Sequence, residues 1–137
     1  MCKYVRDEPD RRFDMLNFIS GGDYIETDPK KAAKTDWQPH LEVVYHLSSI
    51  PHKTSIVLKI MLPRWKNDQA GELPEVPSVS AIWSTADWHE REVFDLMGVR
   101  SPGHPDMRRI LCPEDWVGYP LRKHYTHPLE HHGIPRR

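Results

Sequence analysis

The chain of 137 residues contains only two cysteines, Cys2 and Cys112, and seven glycines. Two thiols far apart in sequence, neither in a C-x-x-C pair, cannot supply the four thiolates of an iron–sulfur cluster, and they suit a reducing, cytosolic setting. The glycines form no G-x-G-x-x-G turn of the dinucleotide-binding kind. No apolar run approaches the roughly 20 residues that span a bilayer, and the charged opening MCKYVRDEPDRR is not expected to be a signal peptide. A net charge of -1 lacks the basic excess that holds a nucleic-acid binder to phosphates. There is no internal repeat and no low-complexity tract.

What the chain does have is 13 prolines and five tryptophans. That much proline and aromatic surface in one domain's length predicts extended segments lying against something else. Cys2 to Arg12 reads as a short helix weakened by Pro9, and Phe13 to Ile19 as a strand turning at Gly21-Gly22. Asp28 to Pro39 reads as a polar surface loop. Leu41, Val43, Tyr45 and Leu47 alternate with Glu42, Val44, His46 and Ser48, the period of a half-buried strand. Ile56, Leu58, Ile60 and Leu62 repeat that period after a turn at Pro51 to Thr54, so the two runs predict an antiparallel hairpin. A long polar loop, Pro63 to Pro77, and a short strand or turn, Ser78 to Trp83, lead into the main helix.

That helix is expected to start near Ser84, where Ser84 and Asp87 have capping-box spacing, and to end at Gly98. It carries three adjacent charges, Glu90, Arg91 and Glu92, among Trp88, Val93, Phe94, Leu96 and Met97. At 100° per residue Glu90 falls on the arc of Val93, Phe94 and Met97, and Glu92 on that of Trp88 and Leu96. Such positions allow two readings: the glutamates sit at the helix border and reach solvent, or they are largely buried and need cationic partners, for which Arg100, Arg108 and Arg109 are the candidates. Arg91 and Asp95, four apart on the remaining face, are expected to pair locally. Adjacent residues seldom aim at one substrate atom, which argues against a catalytic carboxylate pair.

From Pro102 to Pro128 five prolines forbid a long helix or a central strand. Yet Met107, Ile110, Leu111, Trp116, Val117, Tyr119 and Leu121 give this arm too much apolar surface for a solvated tail, and such residues anchor interfaces. The expected division is an α+β core over 1–101 and an extended arm over 102–137 that packs on a partner. Two rival chemistries have some support in the residues. His124, His127, His131 and His132 have short metal-ligand spacings, although a polar tail accounts for them more simply. Cys112 with His104 would be a nucleophile and base.

The run W-H-E-R-E-V-F-D-L-M-G from Trp88 to Gly98, followed by G-H-P-D-M-R-R-I-L-C-P-E-D-W from Gly103 to Trp116, resembles the 30 kDa subunit family (C type) of NADH:quinone oxidoreductase, respiratory complex I. Pro77 to Val79, Ala86-Asp87, Gly118 to Lys123, Phe13 to Leu16 and Asp23-Tyr24 extend the likeness over most of the chain. The resemblance implies a two-layer α+β domain with a small mixed sheet, one motif-bearing helix and a proline-rich C-terminal arm. It implies a non-catalytic subunit, peripheral on the cytoplasmic side of the inner or plasma membrane and reaching the membrane only through its complex. Its partners would be the large hydrogenase-like subunit (D type) and the small cluster-bearing subunit (B type), with no nucleic acid. NADH, FMN, iron–sulfur clusters and quinone would reside in other subunits, leaving this chain no cofactor or metal of its own. Energy-converting hydrogenases contain a related subunit, the alternative assignment. The positions carried over as a polar network and partner-binding motif are Glu90, Arg91, Glu92, Asp95, His104, Asp106, Arg108 and Arg109, with Trp116 and Tyr119. Two departures stand out. Ser101, in Arg100-Ser101-Pro102, replaces a packing residue, and a further segment usually precedes the position of Cys2.

Overall fold

The computed structural model describes residues 1–26, 29–32, 34 and 36–135. A short helix α1 (Cys2–Asp7) leads into strand β1 (Met15–Tyr24); a four-residue helix α2 (Pro29–Ala32) precedes strands β2 (His40–Ser49) and β3 (Thr54–Pro63). Helix α3 (Ala86–Met97) follows, and a two-residue hairpin, β4 (Glu130–His131) and β5 (Ile134–Pro135), lies near the C-terminus. This is the α+β arrangement expected. The predicted loop Asp28 to Pro39 is in part α2, and in part lies outside the described residues.

The main sheet has the order β1-β2-β3 with β2 central and both neighbours antiparallel. A mixed sheet was expected; among the described residues the parallel pairing is a single isolated bridge, Glu75 with Arg100. The hairpin predicted from period-two alternation is present, with Leu41 opposite Leu62 and Leu47 opposite Ile56. Leu41, Val43, Tyr45 and Leu47 of β2 turn inward and are buried, together with Leu16 and Ile19 of β1. They meet Val76, Val79, Trp83, Ala86, Val93, Met97 and Val99, which come from α3 and the irregular segments on either side of it. The Trp83 indole donates to the Phe13 carbonyl at 3.1 Å, fastening the helix approach to the start of β1.

The expected turn at Gly21-Gly22 is not a turn. β1 continues through both glycines, which pair with Val43 and Glu42. Their role is closeness: a Cβ on Gly21 would stand 2.8 Å from the Met97 side chain, so the missing side chain lets α3 lie on β1. The helix also starts two residues later than expected. Thr85 is its N-cap, with no side-chain cap bond. The Asp87 carboxylate does not reach back to Ser84, because Arg91 and His104 hold it at 2.7 and 3.2 Å.

The C-terminal end of α3 stops where predicted. Gly98 is left-handed (φ 66) and its N–H bonds the Phe94 carbonyl at 2.9 Å. The carbonyls left over there are taken by the arm. Arg122 donates to Met97 O at 2.7 Å and Gly98 O at 3.1 Å, and the Leu121 N–H to Leu96 O at 3.0 Å. A guanidinium at this end satisfies orphan acceptors and opposes the negative end of the helix dipole. Gly98 is also where Tyr119 packs, its ring 2.7 Å from any Cβ added there. Gly98→Ala should therefore cost about 2–4 kcal/mol, the left-handed penalty plus overpacking. Gly71→Ala, at φ 98 with nothing within 4 Å, should cost only the backbone term. Urea unfolding of the two variants measures the difference.

Candidate functional site

Helix α3 is covered on two sides, and each side sorts its charges differently. The side bearing Ala86, Glu90, Val93 and Met97 is buried with the core, while Arg91 and Asp95, equally buried, belong to the row Asp87, Arg91, Asp95 that meets the arm. Trp88 and Glu92 are left exposed. The reading of buried, paired glutamates placed Glu92 inside, and Asp95 was expected outside. The structure reverses both, because the arm covers a face that an isolated helix would leave in water.

Glu90 is buried, the second of the two readings, but no arginine among the described residues answers it. Its carboxylate accepts the Ser78 hydroxyl at 2.6 Å and the Val79 N–H at 2.7 Å. It thus serves as the acceptor that shapes the turn before the helix, while Ser78 N–H bonds Pro102 O at 2.9 Å and links that turn to the start of the arm. Ser101, between these contacts, is buried. Burial pushes the Glu90 carboxyl above its ordinary range, against the lowering effect of these two hydrogen bonds. Tyr45 is raised in the same way, by burial first and then by the nearby Glu90 charge.

Asp95 has no exposed surface. One carboxylate oxygen accepts the Arg109 guanidinium at 2.7 Å; the other accepts three consecutive backbone amides, Ile110, Leu111 and Cys112, at 3.0, 2.6 and 2.9 Å. Burial alone would raise this carboxyl, but the three amides and Arg109 hold it below the usual carboxylate range. Arg109 also donates to the Asp95 carbonyl at 3.0 Å and the Gly118 carbonyl at 2.8 Å, so one side chain joins the helix to two turns of the arm. The expected Arg91–Asp95 pair does not form. Arg91 contacts Asp87 at 2.7 Å and Asp106 at 3.5 Å and lies 4.1 Å over the Trp88 ring.

His104 has a fully buried side chain. Its Nδ1 accepts the Asp106 N–H at 3.0 Å, so a neutral ring carries its proton on Nε2, which lies 3.0 Å from the Asp87 carbonyl. Both ring nitrogens are thereby occupied. Cys112 has its thiol raised by burial and by the Asp95 charge, opposite to what a nucleophile needs. Neither the engaged imidazole nor the raised thiol favours the cysteine–histidine hydrolase reading. Arg108 is exposed and pairs with the exposed Asp106 at 2.8 Å, and Arg100 is exposed too.

Of the motif positions, then, Glu90, Arg91, Asp95, His104, Asp106 and Arg109 are brought together along α3; Arg108 joins them at the exposed rim through Asp106, and Glu92 stands apart. Tyr119 faces inward, its ring centre 5.1 Å from the Arg109 guanidinium and 5.5 Å from that of Arg122. Trp116 lies 5.0 Å from the ring of His131. Two further residues hold the arm and were not singled out from sequence. Arg122 is stacked 4.1 Å over Trp65 and bonds Arg64 O at 3.0 Å as well as the helix end. Asp23 accepts two bonds from Arg64, at 2.9 and 2.7 Å, and the Lys123 N–H at 2.9 Å. Burial raises the Asp23 carboxyl less than these contacts lower it. Neither role carries a spacing signal, since their partners lie far away in the chain. The four C-terminal histidines do not converge: His124 sits 2.6 Å from Arg64, and His127 packs on Tyr125.

Two expectations follow for stability. Asp95→Ala strands a part-buried guanidinium and three amides and should cost about 3–5 kcal/mol, with strong coupling to Arg109→Ala in a double-mutant cycle. Glu92→Ala should stay within about 0.5 kcal/mol. The two buried carboxyls respond to pH with opposite signs. The stability from Asp95, with its lowered pKa, is present above the unfolded value and lost as pH falls through the folded one. The contribution of Glu90, with its raised pKa, is present below the unfolded value and lost as pH rises through the folded one. A glutamine at position 90 can accept from Val79 and donate to Ser78 without that loss. Glu90→Gln should therefore gain on the parent protein as pH rises, read as the difference between two urea-unfolding series across pH.

Comparison with known proteins shows the family to which the chain belongs. The family described as respiratory-chain NADH dehydrogenase, 30 Kd subunit, matches residues 1–131. The NADH-quinone oxidoreductase C subunit of Chloroherpeton thalassium is 42% identical over 132 residues, covering 96% of this chain and 47% of that protein. Its counterpart in Moorella thermoacetica is 44% identical over 115 residues, 84% of this chain and 66% of that protein. That of Chlorobium phaeobacteroides is 37% identical over 134 residues, 96% of this chain and 69% of that protein. The chain spans roughly half to two-thirds of the length of most of the curated relatives it matches. On the extent of the match and the identity to these relatives, the chain belongs to the 30 kDa subunit family of respiratory-chain NADH dehydrogenase.

Proposed function

We propose that this chain works without redox chemistry of its own, as a peripheral-arm subunit of a proton-translocating NADH:quinone oxidoreductase. In this reading it binds the large hydrogenase-like subunit, next to the small cluster-bearing one, on the cytoplasmic side, and meets the membrane only through the complex. No helix among the described residues is long and apolar enough to cross a membrane. The relatives' names favour the quinone oxidoreductase over the related hydrogenase assignment.

The observation that carries the proposal is where the arm leaves its apolar side chains. Asp95, Arg109 and Arg122 tie the arm's backbone inward, while Leu111, Val117, Leu121 and Leu129 remain 58–88% exposed. Trp88, at 61%, stands on the exposed side of α3. Apolar residues displayed on a backbone this firmly held suit a preorganised docking surface, which limits the ordering cost of association.

Leu111→Asp and Val117→Asp touch exposed positions and should shift the stability of the chain by no more than about 0.5 kcal/mol. Co-expressed with the large and small subunits, either variant should co-purify less with the large one. NADH:quinone activity should fall in proportion to the complex recovered. The purified chain alone should show no flavin or iron–sulfur absorbance and should not oxidise NADH. Normal assembly of both variants, or a stoichiometric flavin in the isolated chain, would defeat the proposal.

A further inference from the structure

Away from the helix–arm network, one group of side chains has no part in the role proposed above. Asp115, His131 and His132 each offer one ligand-type atom, and the three atoms lie within 4.8 Å of one another, the one such group among the described residues. His131 and His132 are adjacent, and in an ordinary strand their side chains would point to opposite faces. Here His132 takes a left-handed conformation (φ 51), with Gly133 following at φ 76, in the turn of the β4–β5 hairpin. This brings the two imidazoles to a centre distance of 4.1 Å. Asp115 approaches from the arm, its Oδ2 2.8 Å from His132 Nε2. His131 Nε2 is shielded from solvent and has no hydrogen-bond partner among the described residues. An imidazole nitrogen in that condition is an unexplained cost unless something accepts its lone pair or its proton.

We propose that Asp115, His131 and His132 form a binding site for a divalent transition-metal ion of the zinc class, clipping the C-terminal hairpin to the arm at Asp115. Two imidazole nitrogens and one carboxylate oxygen are the donor set of a borderline ion such as Zn²⁺ or Co²⁺, and a poor one for Ca²⁺ or Mg²⁺, which prefer all-oxygen shells. Bonds of about 2.0–2.1 Å around a tetrahedral ion place ligand atoms ~3.3 Å apart. Asp115 and His132 have side chains 57% and 66% exposed, so they are free to rotate into that spacing. Each ligand must offer a lone pair to the ion, the two imidazoles at an unprotonated ring nitrogen and Asp115 as the carboxylate. Three protein ligands leave a fourth position for water. The site lies apart from the helix motif and takes two histidines of the four-histidine tract, with Asp115 in place of His124 and His127, which are engaged elsewhere.

The test uses the untagged full chain, stripped with a chelator and titrated with Zn²⁺ by calorimetry and with Co²⁺ by absorption spectroscopy. One ion per chain is expected, with visible Co²⁺ bands. Co²⁺ should also quench part of the tryptophan fluorescence, and Trp116→Phe should remove that part, because the indole is 5.0 Å from the His131 ring. His132→Asn retains a residue that tolerates the left-handed turn. It, His131→Gln and Asp115→Asn should each weaken Zn²⁺ binding by more than about tenfold, at least what loss of an outer-shell partner costs. His127→Ala and His52→Ala should bind as the parent does, and circular dichroism should match throughout. A stoichiometry well below one, unchanged affinity in the three ligand variants, or loss of binding in His127→Ala would overturn the site. None of these readouts depends on assembly into a complex, so the site and the proposed function stand or fall separately.

Discussion

A carboxylate with no exposed surface must be fully compensated inside the protein, and the manner of compensation at Asp95 organises the rest. Three consecutive amides, from Ile110 to Cys112, and the Arg109 guanidinium converge on it. Those amides belong to a segment with no ladder or helix to satisfy them, since the prolines at 102, 105 and 113 deny it both. Arm and helix therefore solve each other's problem. The arm supplies donors that a buried charge requires, and the charge supplies acceptors that an irregular backbone lacks. Removing either side leaves the other with unsatisfied groups, which is why the contact matters beyond the worth of any single bond.

The same logic recurs at the two other points where the arm is fixed. Arg122 fills the carbonyls at the end of α3, and Asp23 of β1 accepts the amide of Lys123. All three anchors include bonds from a side chain to backbone, and of the arm's large side chains they engage Tyr119 and leave its exposed leucines and valine unused. Leu111, Val117, Leu121 and Leu129 consequently face outward. A tail held by hydrophobic packing would have buried them. Holding by hydrogen bonds and charge leaves apolar surface free, the arrangement a docking element needs.

Much of this fold was legible in the sequence, and the failures have a common cause. Period-two alternation located β2 and β3, and Gly98 located the end of α3, because each signal is local. Gly21-Gly22 misled, since glycine marks close approach as well as turns and only the position of Met97 distinguishes the two. On α3, the reading of buried glutamates is right for Glu90. Glu92 and Asp95 were exchanged because a helical wheel assumes one buried face and one wet one. A second buried face, covered by an arm without periodicity, leaves no trace in such a projection. Only the charged row Asp87, Arg91, Asp95 hinted at it, and such a row more often faces solvent.

The helix ends up clamped between two buried carboxylates whose ionisation has opposite consequences. Glu90 faces the turn before the helix, where a hydroxyl and one amide do not offset burial, so its charged form is the disfavoured one. Asp95 faces the arm, where three amides and a guanidinium more than offset burial, so its charged form is the favoured one. Acid therefore weakens the attachment of the arm and relieves the turn, whereas a rise in pH through the folded Glu90 value burdens the turn and leaves the attachment at full strength. The difference traces to the number of donors each partner segment can present. The turn at Ser78 and Val79 offers two, and its backbone is already committed, through Ser78, to the carbonyl of Pro102. The arm, with no regular structure competing for its amides, offers three and an arginine besides. Irregularity in the arm is thus the condition for binding the more tightly held charge, and the prolines that prevent regular structure there serve that attachment.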